Sequence, residues 1–222
     1  MKWILQSIVV FALAVVLSYA IAYQWPPAGK NPDPNHTHAD FALWADGKQI
    51  DFSKLEFMSK ELTSAEEEAL KHETGNEAIP DPAGLRKYLH LHDGNGYVIH
   101  RHKPGLPLCD FFNSLNSLKG TDPSRFGFMG NDMSFTYQGK QHYFRRLFIN
   151  GVEEIQDVGC SYVFKDGDHL LLTDAKIDDD AEIRHELSLM TDDACTYSKT
   201  CPWRGEPPVE TCISDPTIPC RE

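Results

Sequence analysis

The chain has 222 residues, 41% of them apolar, and its formal net charge is −12 because 33 acidic residues outnumber 21 basic ones. This apolar content is typical of a globular protein and excludes a fully disordered chain. The acidic charge argues against nucleic acid or an anionic membrane surface as the main partner, and it suits solubility or the binding of cations.

The N-terminus predicts a single-pass membrane anchor. Residues 3–23 carry no charge and form a stretch long enough to cross a bilayer as a helix, with Lys2 before it on the inner side. The alternative is a cleaved signal peptide, because Ala20-Ile21-Ala22 offers a small-x-small site. We therefore assign residues 1–23 to a transmembrane signal anchor in the cell membrane. Both interpretations place the rest of the chain outside the cytoplasm, as a membrane-anchored or a secreted protein.

The next segments predict a stiff linker and the start of a sheet. Residues 24–34 are Pro-rich and typical of a linker. The following HTHADFALWADGKQIDF alternates apolar and polar residues, which indicates a strand, a turn at Asp46-Gly47 and a return strand near Ile50 and Phe52. Residues 63–73 then predict a helix with a capping box.

Residues 88–102, YLHLHDGNGYVIHRH, predict a β-hairpin whose two arms each carry a His-x-His pair. Side chains alternate between the faces of a strand, so the loop length decides whether both pairs share a face. A three-residue loop, Gly94 to Gly96, offers two glycines and an asparagine for the positive φ that it needs, and it places His90 opposite His100. It also gathers the apolar side chains on the other face: Leu89, Leu91, Tyr97 and Ile99. We therefore predict this register.

The second half of the chain predicts one further helix, several hairpins and an acidic helix. Leu108, Phe111, Phe112 and Leu115 have helical spacing. MSFTYQGKQHYFRRLFINGVEEI predicts strands joined by Gln-Gly and Asn-Gly turns, and YVFKDGDHLLLTDA predicts a further strand. DDDAEIRHELSLM predicts a helix that begins with aspartates. The fold class is α+β, with a mixed or antiparallel sheet of hairpins, two or three packed helices and a second half similar to a β-grasp fold.

Three His-x-His pairs make a metal site the leading functional hypothesis. Among ten histidines in 222 residues roughly 0.45 such pairs are expected by chance, and the chain has three. Imidazoles on one sheet face lie close enough to share an ion, and outside the cytoplasm an all-nitrogen set favours Cu or Zn. The predicted ligands are His36, His38, His90, His92, His100 and His102, with Asp40 and Asp93 as acceptors that orient the rings.

Two questions about this site stay open at the level of the sequence. Six ligands exceed one tetrahedral site, so either two metals bind or some of the six are not ligands. The alternative to metal binding is a solvated polar face, or a surface that gains charge near pH 6. The other histidines, His72, His142, His169 and His185, are interpreted as ordinary surface or core residues.

The cysteines predict disulfides. An even number outside the cytoplasm is typical of a disulfide framework, and the chain has six: Cys109, Cys160, Cys195, Cys201, Cys212 and Cys220. Four of them lie in a Pro-rich tail that cannot form a core of its own. The simplest pairing is Cys109 with Cys160 and the remainder within the tail. The predicted domains are a His-rich ectodomain over residues 35–176 and an acidic helix with a Cys-rich tail over 177–222.

The motif order HTHADF, HLHDGNGYVIHRHKPGLPLCDFF, FINGVEE, YVFKDGDHLLL and CTYSKTCPWRGEPPVETC resembles a group of bacterial proteins over roughly residues 34–220. These are uncharacterised, membrane-anchored, His-rich extracytoplasmic proteins, often labelled protein-disulfide isomerase by automated transfer. The resemblance implies an extracytoplasmic domain but no catalytic residue. Cys109 stands where that group usually has glycine. No resolving cysteine lies near it in the sequence, so Cys109 is an odd candidate for isomerase chemistry.

Three functions follow from these features. The first is a non-catalytic protein that binds a divalent metal ion, Cu or Zn. The second is a thiol–disulfide isomerase or oxidoreductase, although the chain has no C-x-x-C motif. The third is a His-ligated metalloenzyme in which three histidines leave a position open for water.

Overall fold

The structure is a computed structural model that describes residues 29–54, 57–58, 85–116, 126–129, 134–137, 139–144, 146–154, 159–176 and 178–207, with scattered positions between residues 3 and 15. Most of the predicted anchor, the predicted helix at 63–73, His72, Cys212 and Cys220 lie outside these residues. Within the described ranges, no helix combines the length and the apolar character that crossing a bilayer needs.

Two β-sheets contain all the strands of the described chain. In chain order the strands are β1 (Thr37–Ala45), β2 (Lys48–Gln49), β3 (Leu89–His90), β4 (Val98–Arg101), β5 (Phe126–Met129), β6 (Ser134–Tyr137), β7 (Lys140–Tyr143), β8 (Arg146–Ile149), β9 (Val152–Glu153) and β10 (Asp168–Thr173). The larger sheet has the order β3-β4-β1-β10-β8-β9, with β2 paired to β1. The pair β1–β10 is parallel and the other pairs are antiparallel, so the sheet is mixed. Strands β5, β6 and β7 form the smaller sheet.

Three α-helices accompany the sheets: α1 (Leu108–Asn116), α2 (Asp180–Ser188) and α3 (Ala194–Tyr197). The helices α1 and α2 confirm the predictions from apolar spacing and from the run of aspartates. At the start of α2, the Asp179 carboxylate accepts a hydrogen bond from the Glu182 backbone N–H over 3.0 Å, the usual role of an N-cap side chain. The α+β fold class with a mixed sheet is therefore confirmed.

The Asp-Gly and Asn-Gly turns form as the sequence predicts. Asp46 and Gly47, and likewise Asn150 and Gly151, all have φ between 51° and 77°. Positive φ at both central residues is the requirement of a type I′ hairpin turn. The return strand after Gly47 is shorter than predicted, because β2 ends at Gln49. The buried Ile50 still donates its backbone N–H to the Leu43 carbonyl over 2.8 Å, and the buried Phe52 lies beyond the strand.

The two faces of β1 enter two separate apolar clusters. Odd-numbered side chains, such as Phe41 and Leu43, join the main core with α1 and the apolar side chains of β3, β4 and β10. Even-numbered side chains near the end of β1, Ala42 and Trp44, join a smaller cluster with Ile183 of α2. The start of the even face carries His38 and Asp40 instead. The sheet is thus covered on both sides, with a polar region at one end of one face.

Disulfides join Cys109 to Cys160 and Cys195 to Cys201. The first links α1 to a 3-10 turn at Gly159–Ser161 on the main-core side. The second closes a short loop that contains α3. Both agree with the predicted pairing of Cys109 with Cys160 and of tail cysteines with each other.

The histidine hairpin has the predicted register, with His90 opposite His100 and Leu89 opposite Arg101. The positive φ values lie at Asp93 and Gly94, at 58° and 70°, one position earlier than the predicted loop residues Gly94 to Gly96 would suggest. Gly96 has a different role. A Cβ at Gly96 would lie 2.1 Å from the Ser53 backbone nitrogen, so only glycine lets the loop pack against this segment. The loop is therefore fixed to the rest of the fold.

Candidate metal centre

Three histidines form a row across three neighbouring strands. His90 on β3 is directly opposite His100 on β4, and His100 is directly opposite His38 on β1. Opposed side chains on one face of a sheet have Cβ atoms about 5 Å apart. The sequence left open whether the strand of His38 lies beside the hairpin or across from it, and the structure places it beside β4.

All six predicted ligands come together on this face, and we call them the histidine cluster: His36, His38, His90, His92, His100 and His102. Their imidazoles follow one another in a closed circuit. The centroid distances are 4.3 Å from His36 to His38, 4.8 Å on to His100, 3.8 Å to His92, 5.4 Å to His90, 4.7 Å to His102 and 4.0 Å back to His36. No other part of the described chain brings so many imidazoles together.

Three pairs of ring nitrogens in the histidine cluster lie within hydrogen-bonding distance. The Nε2 atoms of His36 and His38 are 3.1 Å apart, those of His90 and His102 are 3.2 Å apart, and His92 Nε2 is 3.0 Å from His100 Nδ1. Two nitrogens bound to one tetrahedral zinc ion at about 2.05 Å lie about 3.3 Å apart. The observed spacings therefore suit both N–H···N hydrogen bonds and nitrogens that share an ion.

Hydrogen bonds behind two of the rings fix which nitrogen faces the cluster. His90 Nδ1 is 2.7 Å from the Arg86 carbonyl oxygen, and His92 Nδ1 is 2.6 Å from the Asp93 carboxylate. A carbonyl and a carboxylate only accept, so each Nδ1 carries the proton and each Nε2 presents its lone pair to the cluster. Metal-bound histidines in proteins are usually oriented by such a bond on the other nitrogen.

His38 is oriented by a longer chain of hydrogen bonds. The Ser198 hydroxyl lies 2.8 Å from His38 Nδ1 and 2.5 Å from Asp166 Oδ1. Ser198 has one hydroxyl proton and donates it to the carboxylate, so its oxygen accepts from His38 Nδ1–H. His38 Nε2 therefore carries no proton and faces the cluster as an acceptor, as in His90 and His92. Neither Ser198 nor Asp166 has any motif that would connect it to His38 in the sequence.

The cluster is more deeply buried on β1 and β4 than on β3. The exposed fractions of His38, His100 and His102 are 2%, 0% and 1%, whereas His36, His90 and His92 are partly exposed. The Tyr197 ring lies edge-on to His100, with centroids 4.7 Å apart. The histidine cluster thus has a partly exposed rim, His36, His90 and His92, and a buried floor, His38, His100 and His102.

The histidine cluster contains a group of three side chains that could hold a metal ion: His36, His38 and His100 each offer a nitrogen within 4.8 Å of the others. Two mixed groups meet the same distance condition, Asp40 with His169 and Asp192, and Asp46 with His142 and Asp174. His142 and His169 were interpreted as ordinary residues, and no spacing in the sequence connects them to these aspartates. The histidine cluster differs from both mixed groups in that its ligands are all imidazoles.

The mixed groups have other interactions. In one, the Lys140 ammonium bonds to the Asp46 carboxylate, so a cation is already present there. In the other, the Asp40 carboxylate accepts from the Thr191 hydroxyl at 2.6 Å and from two backbone N–H groups at 2.8 and 3.0 Å, those of Asp193 and Ala194. Burial raises the pKa of the Asp40 carboxyl, against these hydrogen bonds.

The two predicted acceptors are therefore placed differently. Asp93 lies against His92, where it can orient that ring. Asp40 lies on the same face as His38, but its hydrogen bonds attach the chain around residues 191–194 to β1.

Comparison of the chain with protein-family models, with curated proteins and with solved structures finds no match. The geometry of the site is therefore the evidence for a function.

Proposed function

We propose that this protein is a membrane-anchored, extracytoplasmic metal-binding protein that holds Cu(II) or Zn(II) on the histidine cluster without catalysing a reaction. The single observation that carries the proposal is the convergence of His38 on β1, His100 on the paired strand β4, and His36 in the segment just before β1. Sequestration, delivery and structural stabilisation are the roles that such a site serves. The resemblance to His-rich bacterial extracytoplasmic proteins is consistent with this assignment.

The donor set supports these two metals. Imidazole nitrogen suits Zn(II) and Cu(II), whereas Ca²⁺ and Mg²⁺ require oxygen ligands. Three rings, His38, His90 and His92, are held with Nε2 lone pairs toward the cluster. Pre-orientation of this kind lowers the cost of organising ligands around an ion.

The proposed location depends on two features. The uncharged stretch over residues 3–23 is long enough for an anchor. The disulfides Cys109–Cys160 and Cys195–Cys201 suit an oxidising compartment. Fractionation of cells, followed by protease treatment from outside, tests the orientation: digestion of the His-rich domain is expected, and its protection would contradict the proposal.

The experiment that tests metal binding is elemental analysis of the purified protein after equilibration with Zn(II) and with Cu(II). Bound metal is expected in the wild type and is lost in the triple variant His36→Ala, His38→Ala, His100→Ala. The matched control removes three histidines outside the cluster: His142→Ala, His169→Ala, His185→Ala. The control should keep its metal. Loss of metal from the control alone would place the site at a mixed group and overturn the proposal.

A second candidate function is a metalloenzyme. It is favoured because the group that could hold an ion, His36, His38 and His100, offers three imidazole ligands. Three histidines leave the fourth position of a tetrahedral ion for water, the arrangement of catalytic zinc sites. Cobalt substitution tests it: an open position gives a visible spectrum that shifts when azide is added. An unchanged spectrum indicates a closed site.

Thiol–disulfide exchange has weaker support. Cys160 and Cys201 are only 4% and 2% exposed, and all four described cysteines are paired. In the Cys109–Cys160 disulfide, Cys160 belongs to the main core and the partly exposed Cys109 packs against it.

A further inference from the structure

One segment of the C-terminal region covers the histidine cluster, and we call residues 191–201 the cap loop. From this loop, Ser198 contacts His38 with its hydroxyl, 2.8 Å from Nδ1. The Tyr197 ring lies against His100, with 4.7 Å between centroids, and near His38 and His92 at 5.7 and 6.0 Å. The cap loop therefore lies against histidines of β1 and of both arms of the hairpin.

The Cys195–Cys201 disulfide holds the cap loop in this shape. Between these cysteines the loop contains most of α3, a helix of only four residues. Isolated helices of this length are not stable in water, because nucleation costs more than the few hydrogen bonds return. The Thr200 backbone N–H donates to the Cys195 carbonyl over 2.9 Å beside the disulfide. Covalent closure of the loop therefore keeps Ser198 at its place beside His38.

We propose that the cap loop is the positioning element of the metal centre, and that reduction of the Cys195–Cys201 disulfide weakens metal binding. This inference rests on the proposed function. Ser198 acts as a positioning residue, because it fixes the proton of His38 on Nδ1 and leaves Nε2 for the ion. The disulfide acts one step further away by fixing Ser198.

The disulfide is reachable from one side. Cys195 is partly exposed, whereas Cys201 is buried. The Arg204 guanidinium lies 3.8 Å from the Cys195 sulfur, where it attracts an anionic thiolate. A dithiol reductant attacks Cys195 Sγ through one thiolate, forming a mixed disulfide and expelling the Cys201 thiolate. Its second thiolate then closes the reductant's own disulfide and expels the Cys195 thiolate, so two electrons and two protons pass to the protein.

The test compares the zinc dissociation constants of two disulfide variants by competition with a chromophoric chelator. Cys195→Ser with Cys201→Ser opens the cap loop, and Cys109→Ser with Cys160→Ser opens a disulfide on the opposite side of the sheet. The first variant should bind zinc about 10- to 100-fold more weakly than the wild type, the range found when partners behind metal ligands are removed. The second should lower the melting temperature while its dissociation constant stays within about twofold, since this disulfide lies with the main core, on the face of the sheet opposite the histidine cluster.

Ser198→Ala keeps the disulfide and separates positioning from folding. It should weaken zinc binding about tenfold. Because the buried Ser198 hydroxyl bonds to Asp166 and His38, the melting temperature of the metal-free protein should fall as well, so the dissociation constant is measured at a temperature where the metal-free variant is fully folded. Equal dissociation constants for wild type and Ser198→Ala would overturn the proposal, even if the double serine variant failed to fold.

The redox part is tested on the wild type. A trialkylphosphine reduces the accessible disulfide, with water supplying the oxygen of the phosphine oxide and the protons of both thiols. After removal of the phosphine without oxygen, zinc binding should be weaker by the same factor as in the Cys195→Ser, Cys201→Ser variant. Unchanged affinity after confirmed cleavage of Cys195–Cys201 would overturn the inference. The proposed function fails differently, by absence of zinc from the oxidised wild type.

Discussion

The two faces of the central strand β1 share one backbone but differ in chemistry: one is apolar, and the other begins with polar side chains. Its odd side carries Phe41 and Leu43 into the main core, where apolar burial stabilises the fold by about 25 cal/mol per Å². Its even side begins with His38 and Asp40, which are as deeply buried but polar. Burial alone therefore does not show whether a side chain stabilises the fold or belongs to a functional site. On the odd face the contacts between apolar groups are non-directional, whereas His38 Nδ1 and both Asp40 carboxylate oxygens on the even face have particular hydrogen-bond partners.

The largest expected effect separates the faces by stability. Phe41→Ala removes a ring that packs against Phe52 and Phe111, with centroids 5.3 and 5.2 Å away. The free energy of unfolding should fall by about 3–5 kcal/mol, as for other buried aromatic truncations. His38→Ala in the metal-free protein should cost clearly less. Urea denaturation measures both, and a larger loss for His38→Ala would contradict the division of tasks.

The next effect separates the faces by ligand. Zinc at 100 times its dissociation constant should raise the free energy of unfolding by about 2.7 kcal/mol, because it binds only the folded chain. The increment should persist in Leu43→Ala, on the odd face, and disappear in His100→Ala. Thermal unfolding with and without zinc measures it. An increment retained in His100→Ala would show that this histidine is not a ligand.

A third prediction concerns the even face beyond the histidines, where α2 packs. Glu186 is fully buried there, and burial raises the pKa of its carboxyl from 4.5 to about 7, although the Thr173 hydroxyl donates to it. The folded state holds this proton more tightly than the unfolded state, so the carboxyl lowers stability progressively as pH rises from about 4.5 to about 7, with a constant loss above.

Glu186→Gln removes this pH-dependent loss. At pH 8 the variant should be more stable than the wild type by about 3 kcal/mol, and below pH 4 the difference should vanish. Urea denaturation across this pH range gives the difference directly. A difference that does not change with pH would mean that the Glu186 carboxyl titrates normally.

The smallest effect concerns the rim of the histidine cluster. Asp93→Asn weakens the acceptor behind His92 and should raise the zinc dissociation constant about tenfold, the lower end for such partners, because both side chains are partly exposed. Asp51→Asn is the matched control. Asp51 accepts from Ser53 and Tyr97 near the same hairpin and touches no cluster histidine among the residues described. Equal effects of the two changes would assign the loss to the hairpin as a whole.

Local pattern was enough to predict most of the strands, the helices α1 and α2, and the hairpin register, whereas strand β5 was not predicted. The register followed because only one loop length places Leu89, Leu91 and Ile99 on a common face, and the structure buries all three completely. The pairing Cys109–Cys160 followed from parity and from the isolation of these cysteines from the tail.

The cap loop could not be predicted in the same way. Ser198 and Asp166 reach His38 across long separations in the chain, and a serine or an aspartate in a loop has no periodic signature. The mixed groups around His142 and His169 were missed for the same reason, since their aspartates lie on other elements. Sequence period describes one element at a time, whereas these contacts depend on how elements pack.

The parallel pairing of β1 with β10 has a consequence for the order of folding. Strand β1 is synthesised early, whereas its partners β4 and β10 follow much later. Ala39, for example, pairs with Ile99 on one side and with Asp168 on the other. Such non-local pairing is slow, because the loop-closure entropy comes before the contacts that offset it. The histidines of β1 therefore gain His100 as a neighbour only after β4 has been made, and His38 gains Ser198 only when the cap loop has followed. If the histidine cluster binds metal as proposed, a chain that ends before Ser198 should hold the ion more weakly than the complete protein.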